Sequence, residues 1–201
     1  MLTLAINTAT NLNELALFDD MELLTSKSWL NSKKNDDDLF QNLDSLFKNE
    51  IWPKKDWKRI FVLNGPGPFT SLRVGVVAAN ALSYALKIPV YGSNVFDFVK
   101  LTNAFEFFDG LILNASQGQV HVSDKFTGYR RLDLADFLQS TDLKKMKKCF
   151  VSLSNKNFDK FKSVYNGQIV NLPFAELLAR LDFKRLKSSS VIEPEYFGEA
   201  I

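Results

Sequence analysis

Cysteine and histidine are almost absent: Cys149 and His121 are the only representatives in 201 residues. That excludes a disulfide framework and leaves no Cys/His cluster for a zinc site. No window reaches the roughly 20 uninterrupted apolar residues of a membrane span. The opening MLTLAINTAT lacks the positive flank and small-residue cleavage site of a signal peptide. The expectation is a cytoplasmic protein with no membrane association, no metal and no cofactor. Net charge is low, +2, but its distribution is uneven. Asp36, Asp37 and Asp38 form an acidic cluster, while Arg130, Arg131, Lys144, Lys145, Lys147, Lys148, Lys184, Arg185 and Lys187 make the C-terminal half basic. Such a half reads either as a face that meets phosphates or as a solvated lysine-rich surface, and the lack of interleaved aromatics favours the second.

What is present is apolar: 46% of the residues, enough to bury a core as one domain or as two small lobes. LTLAIN, ELALFD and ELLTSKSWL, separated by turn residues, predict three consecutive strands. Leu39, Phe40, Leu43, Leu46 and Phe47 then recur at helical spacing, with the aspartates at the positive end of the helix dipole. RIFVLN predicts a strand buried on both faces. IPVYG predicts another strand, and Ser93 is the expected cap of a helix to about Phe105. The pattern then restarts. GLILNAS and QVHVSDKF predict a hairpin turned at Gln117-Gly118, and TGYRRLD a third short strand. Helices near Leu134–Gln139 and Lys156–Lys162 flank a strand at Cys149–Ser154, and a last helix is expected from Pro173 to about Phe183. The duplicated order predicts two lobes, 1–104 and 105–201.

Between the halves of the first lobe lies NGPGPFTSLRVGVVAANALSYALK, residues 64–87. Glycines 65 and 67 admit backbone that a Cβ forbids, and prolines 66 and 68 fix φ, so the turn is stiff. Thr70 or Ser71 is the expected helix cap. Gly65, Gly67, Thr70 and Arg73 read either as a phosphate contact at a helix N-terminus or as a purely structural tight turn. The prolines offer no N–H, and the lysine of a P-loop is missing. The helix that follows is apolar nearly all round, so it must be covered on both sides, by the second lobe or by a partner.

LAINTAT, the NGPGPFTSLRVG segment, NASQGQVHV and IEPEYF follow, in order and spacing, a pattern that resembles the TsaB (YeaZ) family, the inactive paralogue and dimerisation partner of TsaD. The resemblance implies an α/β fold of the actin/Hsp70/sugar-kinase type, with two ribonuclease-H-like lobes built on mixed sheets. It implies a non-catalytic scaffold that pairs with a TsaD-like catalytic subunit, or with a second copy as a homodimer when alone. Threonylcarbamoyl transfer to adenosine in tRNA would be supported through that complex, with a TsaE-like ATPase as a possible further partner. The pairing helices would be residues 37–47 and 70–86, with Leu39, Leu43, Leu46, Val76, Ala79, Asn80, Ser83 and Tyr84 as candidate interface residues. The chain departs from the pattern at Asn7, where the family usually has Asp, and at Asn114-Ala115-Ser116, where it usually has Asp-Ala-Arg. Losing carboxylates at strand ends where this superfold holds metal-bound phosphates argues against nucleotide hydrolysis.

Other chemistry is weaker. His121 has no acid partner nearby in sequence and reads as a strand histidine, and Cys149 as a buried structural thiol. Asp36–Asp38 read as a helix-start charge cap rather than a metal site. Thr8 and Thr10 lack the glycine-rich turn a phosphate hairpin wants. The alternatives to a scaffold are a small ATP-binding enzyme of the same superfold, using the loop at Gly65–Thr70, and an RNA-binding module using the basic half.

Overall fold

The computed structural model describes residues 1–30, 38–48, 57–115, 118–171 and 174–197. Asp36, Asp37, Ser116, Gln117 and Pro173 therefore lie outside the described residues. Of the acidic cluster, Asp38 is seen in the first turn of its helix, where the dipole favours a negative charge.

Strands β1 (Leu2–Asn7), β2 (Leu12–Asp19) and β3 (Glu22–Leu30) form an antiparallel meander. After α1 (Asp38–Phe47), β4 (Trp57–Leu63) joins β1 in parallel. Helix α2 (Phe69–Leu86) carries the chain over to β5 (Val90–Ser93), parallel to β4, and α3 (Val95–Leu101) follows. Period-two alternation decides the two faces of this sheet. Leu2, Leu4, Ile6, Leu15, Leu17, Ile60, Val62 and Val90 share one core with Leu39, Leu43 and Leu46 of α1 and Val76, Ala78 and Ala79 of α2. The intervening Phe61 faces the other way, its ring 5.7 Å from Phe98 of α3 and 6.3 Å from Phe174.

The second unit repeats the order: β6 (Gly110–Asn114), β7 (Gln119–Asp124), β8 (Gly128–Asp133), α4 (Leu134–Gln139), α5 (Thr141–Lys145), β9 (Lys148–Ser152), α6 (Asn155–Val164) and β10 (Gln168–Val170). Its sheet runs β10-β9-β6-β7-β8, the counterpart of β5-β4-β1-β2-β3 in the first. The duplication expected from sequence is thus present strand for strand, as two mixed sheets.

Three expectations are corrected. The compact units are Met1–Phe98 with Phe174–Ile201, and Val99–Pro173, so the chain beyond 173 belongs to the first unit and not to a lobe running 105–201. The reason is local: α7 (Phe174–Leu178) stacks Phe174 on Phe61 and Phe98, and β11 (Ser188–Ser189) pairs with β5 at the sheet edge. The expected long helix from residue 173 is only five residues, followed by a short 3-10 turn at Phe183–Arg185. Asn94, not Ser93, caps α3, accepting the Asp97 amide at 2.9 Å.

Candidate functional site

The loop after β4 is built by its neighbours. Gly65 has φ +138°, and a Cβ there would collide with the carbonyl of Glu195. Gly67 lies against the backbone of Ala9 in the same way. Pro68 occupies the N-cap of α2 with φ −59° and ψ 125° and no side-chain cap, and Ser71 donates its hydroxyl back to the Pro68 carbonyl at 3.3 Å. The expected Thr70 or Ser71 cap is therefore replaced: proline's fixed φ starts the helix earlier, at Phe69.

The segment around IEPEYF runs along this loop and α2 as a strap. Asn64 donates to the Glu193 carbonyl at 2.9 Å, and the Glu195 amide donates to the Asn64 carbonyl at 2.6 Å. Asn80 donates to the Ile192 carbonyl at 2.8 Å and accepts its amide at 2.9 Å. Tyr196 stacks on Phe69 with centroids 5.5 Å apart, and Arg73 donates Nε–H to the Tyr196 hydroxyl at 2.9 Å. These contacts change the reading of the four loop residues. Gly65 and Gly67 are closed upon by Glu195 and Ala9, whereas Thr70 and Arg73 are exposed on the helix. The four do not line one phosphate cradle, because backbone occupies the space beside the glycines.

The interface candidates divide sharply. Leu39, Leu43 and Leu46 are 3%, 5% and 4% exposed, and Val76, Ala79 and Ser83 are 1%, 0% and 5% exposed; the five apolar ones serve the first unit's own core, and buried Ser83 donates to the Ile88 carbonyl at 2.6 Å. Asn80 is committed to the strap. Of the eight, Tyr84 alone is fully outward, 87% exposed. The outward stripe of α2 is instead Phe69, Thr70, Arg73, Val77, Ala81 and Tyr84, with Val77 63% and Phe69 55% exposed. Their spacing follows the helical repeat and was the available signal. The small residues serve the inner side: Gly75 and Ala78 are buried, and Gly75 lies against Thr8, so they let α2 approach its own sheet. By length and hydropathy α2 would pass for a membrane span, but this inner face belongs to the core. Among the described side chains of α1, Phe40 is the outward apolar one, 53% exposed.

The remaining candidates are engaged internally. Asn7 donates to Thr10 Oγ1 at 3.0 Å and accepts the Ala9 amide at 3.1 Å, and Asn114 Oδ1 accepts from Asn157 at 2.9 Å. Burial and the nearby Arg131 lower the His121 pKa to about 4, and its Nδ1 lies 3.1 Å from the Tyr129 hydroxyl. Burial pushes the Cys149 thiol up to about 11, which makes it inert as a nucleophile. Arg130 pairs with both Asp124 and Asp142 at 2.6 Å, so part of the basic half is neutralised locally. Among the described residues no three His, Cys, Asp or Glu side chains gather as a metal site. One group escaped sequence reasoning. Glu14, on the sheet face opposite α1 and α2, is 9% exposed, and burial raises its pKa to about 7.

A family model described as TsaD: tRNA N6-adenosine threonylcarbamoyltransferase matches residues 31–176. The tRNA threonylcarbamoyladenosine biosynthesis protein TsaB of Bacillus subtilis is 30% identical over 124 residues, 60% of this chain and 53% of that protein. The chain spans about half the length of the curated relatives it matches. A crystal structure described as an uncharacterized protein with similarity to peptidase YeaZ from Pseudomonas aeruginosa covers 97% of this chain and 98% of its own, with TM-score 0.67 and 16% identity. YeaZ from Pseudomonas aeruginosa covers 65% of this chain and 64% of its own, with TM-score 0.51 and 19% identity. At such identities the structural likeness shows the fold.

Proposed function

The chain belongs to the TsaD family, and from that premise we propose that it stands in the TsaB (YeaZ) branch, to which its 30% identical relative belongs, as a non-catalytic scaffold in the making of threonylcarbamoyladenosine in tRNA. It docks a TsaD-like catalytic subunit on the outward stripe of α2, and a second copy of itself covers the same stripe when that subunit is absent. A TsaE-like ATPase and tRNA join through the complex. The observation that carries this reading is the stripe itself. Val77, Ala81 and Tyr84 lie exposed in a row on a helix whose sequence, FTSLRVGVVAANALSYAL, holds one charge. Exposed apolar rows of this kind mark association surfaces, and covering them contributes about 25 cal/mol per Å² of apolar area.

A non-catalytic role is supported by the amides at the two strand ends. Asn7 and Asn114 stand where this superfold holds carboxylates, and both are engaged in local hydrogen bonds. The test is light scattering on the chain alone and mixed with the TsaD-family subunit of the same cell. A homodimer that exchanges into a one-to-one complex is the expected result. A monomer that ignores the subunit refutes the reading.

A further inference from the structure

Arg73 is the only charged side chain of α2, and it is held more firmly than an exposed arginine ordinarily is. Its guanidinium carbon lies 3.7 Å above the Phe69 ring and 5.9 Å from the Tyr196 ring, and the two rings stack 29° from parallel. Nε–H is bonded to the Tyr196 hydroxyl at 2.9 Å. A guanidinium has five N–H donors in a fixed fork. One is used here, and those on the two terminal nitrogens have no partner among the described residues. Tyr196 is itself placed by the strap, through the bonds of Asn64 to Glu193 and Glu195 and of Asn80 to Ile192.

We propose that Arg73 is the charged anchor of the docking face and receives a carboxylate from the docking partner, with the C-terminal strap as the element that orients it. The inference rests on the reading of the α2 stripe as a docking surface, and it names what the partner must bring. A subunit covering Phe69, Val77, Ala81 and Tyr84 removes water from Arg73 as well. A buried cation without a counter-charge is costly, and a carboxylate matches the fork with two parallel hydrogen bonds. The ring stack and the Nε bond fix the guanidinium plane beforehand, so little side-chain freedom is lost on binding. An RNA phosphate is the other anion to consider. RNA backbones are held by several cations in a track, and this stripe has one cation among apolar neighbours, so the surface fits protein.

The test is calorimetric titration of the full chain with the TsaD-family subunit of its cell. Arg73→Met keeps the stem and removes the fork, and it is expected to weaken binding about 30-fold or more. Tyr196→Phe keeps the stack and frees Nε, with a smaller loss of about 3- to 10-fold; it also serves if Arg73→Met folds poorly in urea. One Asp→Asn or Glu→Gln change on the partner should reproduce the Arg73→Met loss, and the double variant should bind no worse than either single one. Val77→Arg probes the docking reading separately and should abolish binding. If Val77→Arg abolishes binding while Arg73→Met and Tyr196→Phe bind as wild type, the anchor is refuted and the docking face stands. If Val77→Arg also binds as wild type, both fall. Arg73-dependent binding of a tRNA transcript to the chain alone, or a scan of partner carboxylates with no such residue, also overturns the proposal.

Discussion

Asn80 on α2 grips one residue 112 positions away at both of its polar atoms, its amide donating to the Ile192 carbonyl at 2.8 Å and its oxygen accepting the Ile192 amide at 2.9 Å. A side-chain amide that reads both halves of a peptide unit fixes the position of the strap along the helix. Asn80→Ala leaves the two Ile192 groups short of partners, and the expected loss is about 1–3 kcal/mol in urea unfolding. Asn80→Asp keeps the acceptor but turns the donor into a second acceptor facing a carbonyl. It should cost at least as much as the alanine, and a smaller cost would contradict the bidentate bond.

Two glycines with left-handed φ should respond differently to alanine. At Gly65, φ +138° is combined with the Glu195 carbonyl in the space a Cβ would take. At Gly128, φ is +77° and nothing lies within reach of an added Cβ. Gly128→Ala should cost about 1 kcal/mol from backbone strain alone. Gly65→Ala should cost more and should loosen the strap, read as faster amide exchange at Glu195, whose N–H bonds to Asn64.

The two helix faces give opposite outcomes for the same kind of change. Ala79 is 0% exposed and Val77 63%. Ala79→Glu buries an unpaired carboxylate and should unfold or strongly destabilise the chain. Val77→Arg should leave the unfolding free energy within about 0.5 kcal/mol of wild type and act only on association. Equal melting of the two variants would contradict this assignment of faces.

Two buried groups work against each other as pH changes. Glu14 has its pKa raised from 4.5 to about 7, so between those values the native state holds a proton that the unfolded state has lost. Its contribution therefore falls as pH rises through that window. His121, lowered from 6.5 to about 4, is neutral in the native state while the unfolded histidine is charged, so its contribution falls as pH drops from 6.5 toward 4. Each full shift corresponds to about 3 kcal/mol. Glu14→Gln should remove the first trend and leave stability rising more steeply from pH 4.5 to 6.5. NMR titration of His121 should show a midpoint near 4. A midpoint at the ordinary histidine value would refute the burial argument.

The strands were legible because burial on a pleated sheet writes period two into the sequence, and the restart after residue 105 announced a repeated order that the two sheets share. The outward face of α2 proposed as the interface was only half legible. Val76 and Val77 are the same residue on a helix apolar all round, and composition cannot say which one faces β4. Packing decides it, at 1% and 63% exposure. The same applies to Leu39, Leu43 and Leu46, whose stripe marked an amphipathic helix but belongs to the core. The strap carried a family-like motif with no period of its own. Its partners, Asn64, Asn80 and Arg73, lie more than a hundred residues earlier, beyond the reach of local pattern. The short β10, β11 and α5 were missed because runs of two to five residues leave too few positions for a period.

The central claim is that this chain supports a partner's chemistry by docking through the outward face of α2. The most direct measurement is threonylcarbamoyladenosine formation on tRNA by the TsaD-family subunit and accessory proteins of the same cell, reconstituted without this chain, with it, and with the folded Val77→Arg variant. The account predicts product only with the unaltered chain. Equal product without the chain, or with Val77→Arg, would contradict it.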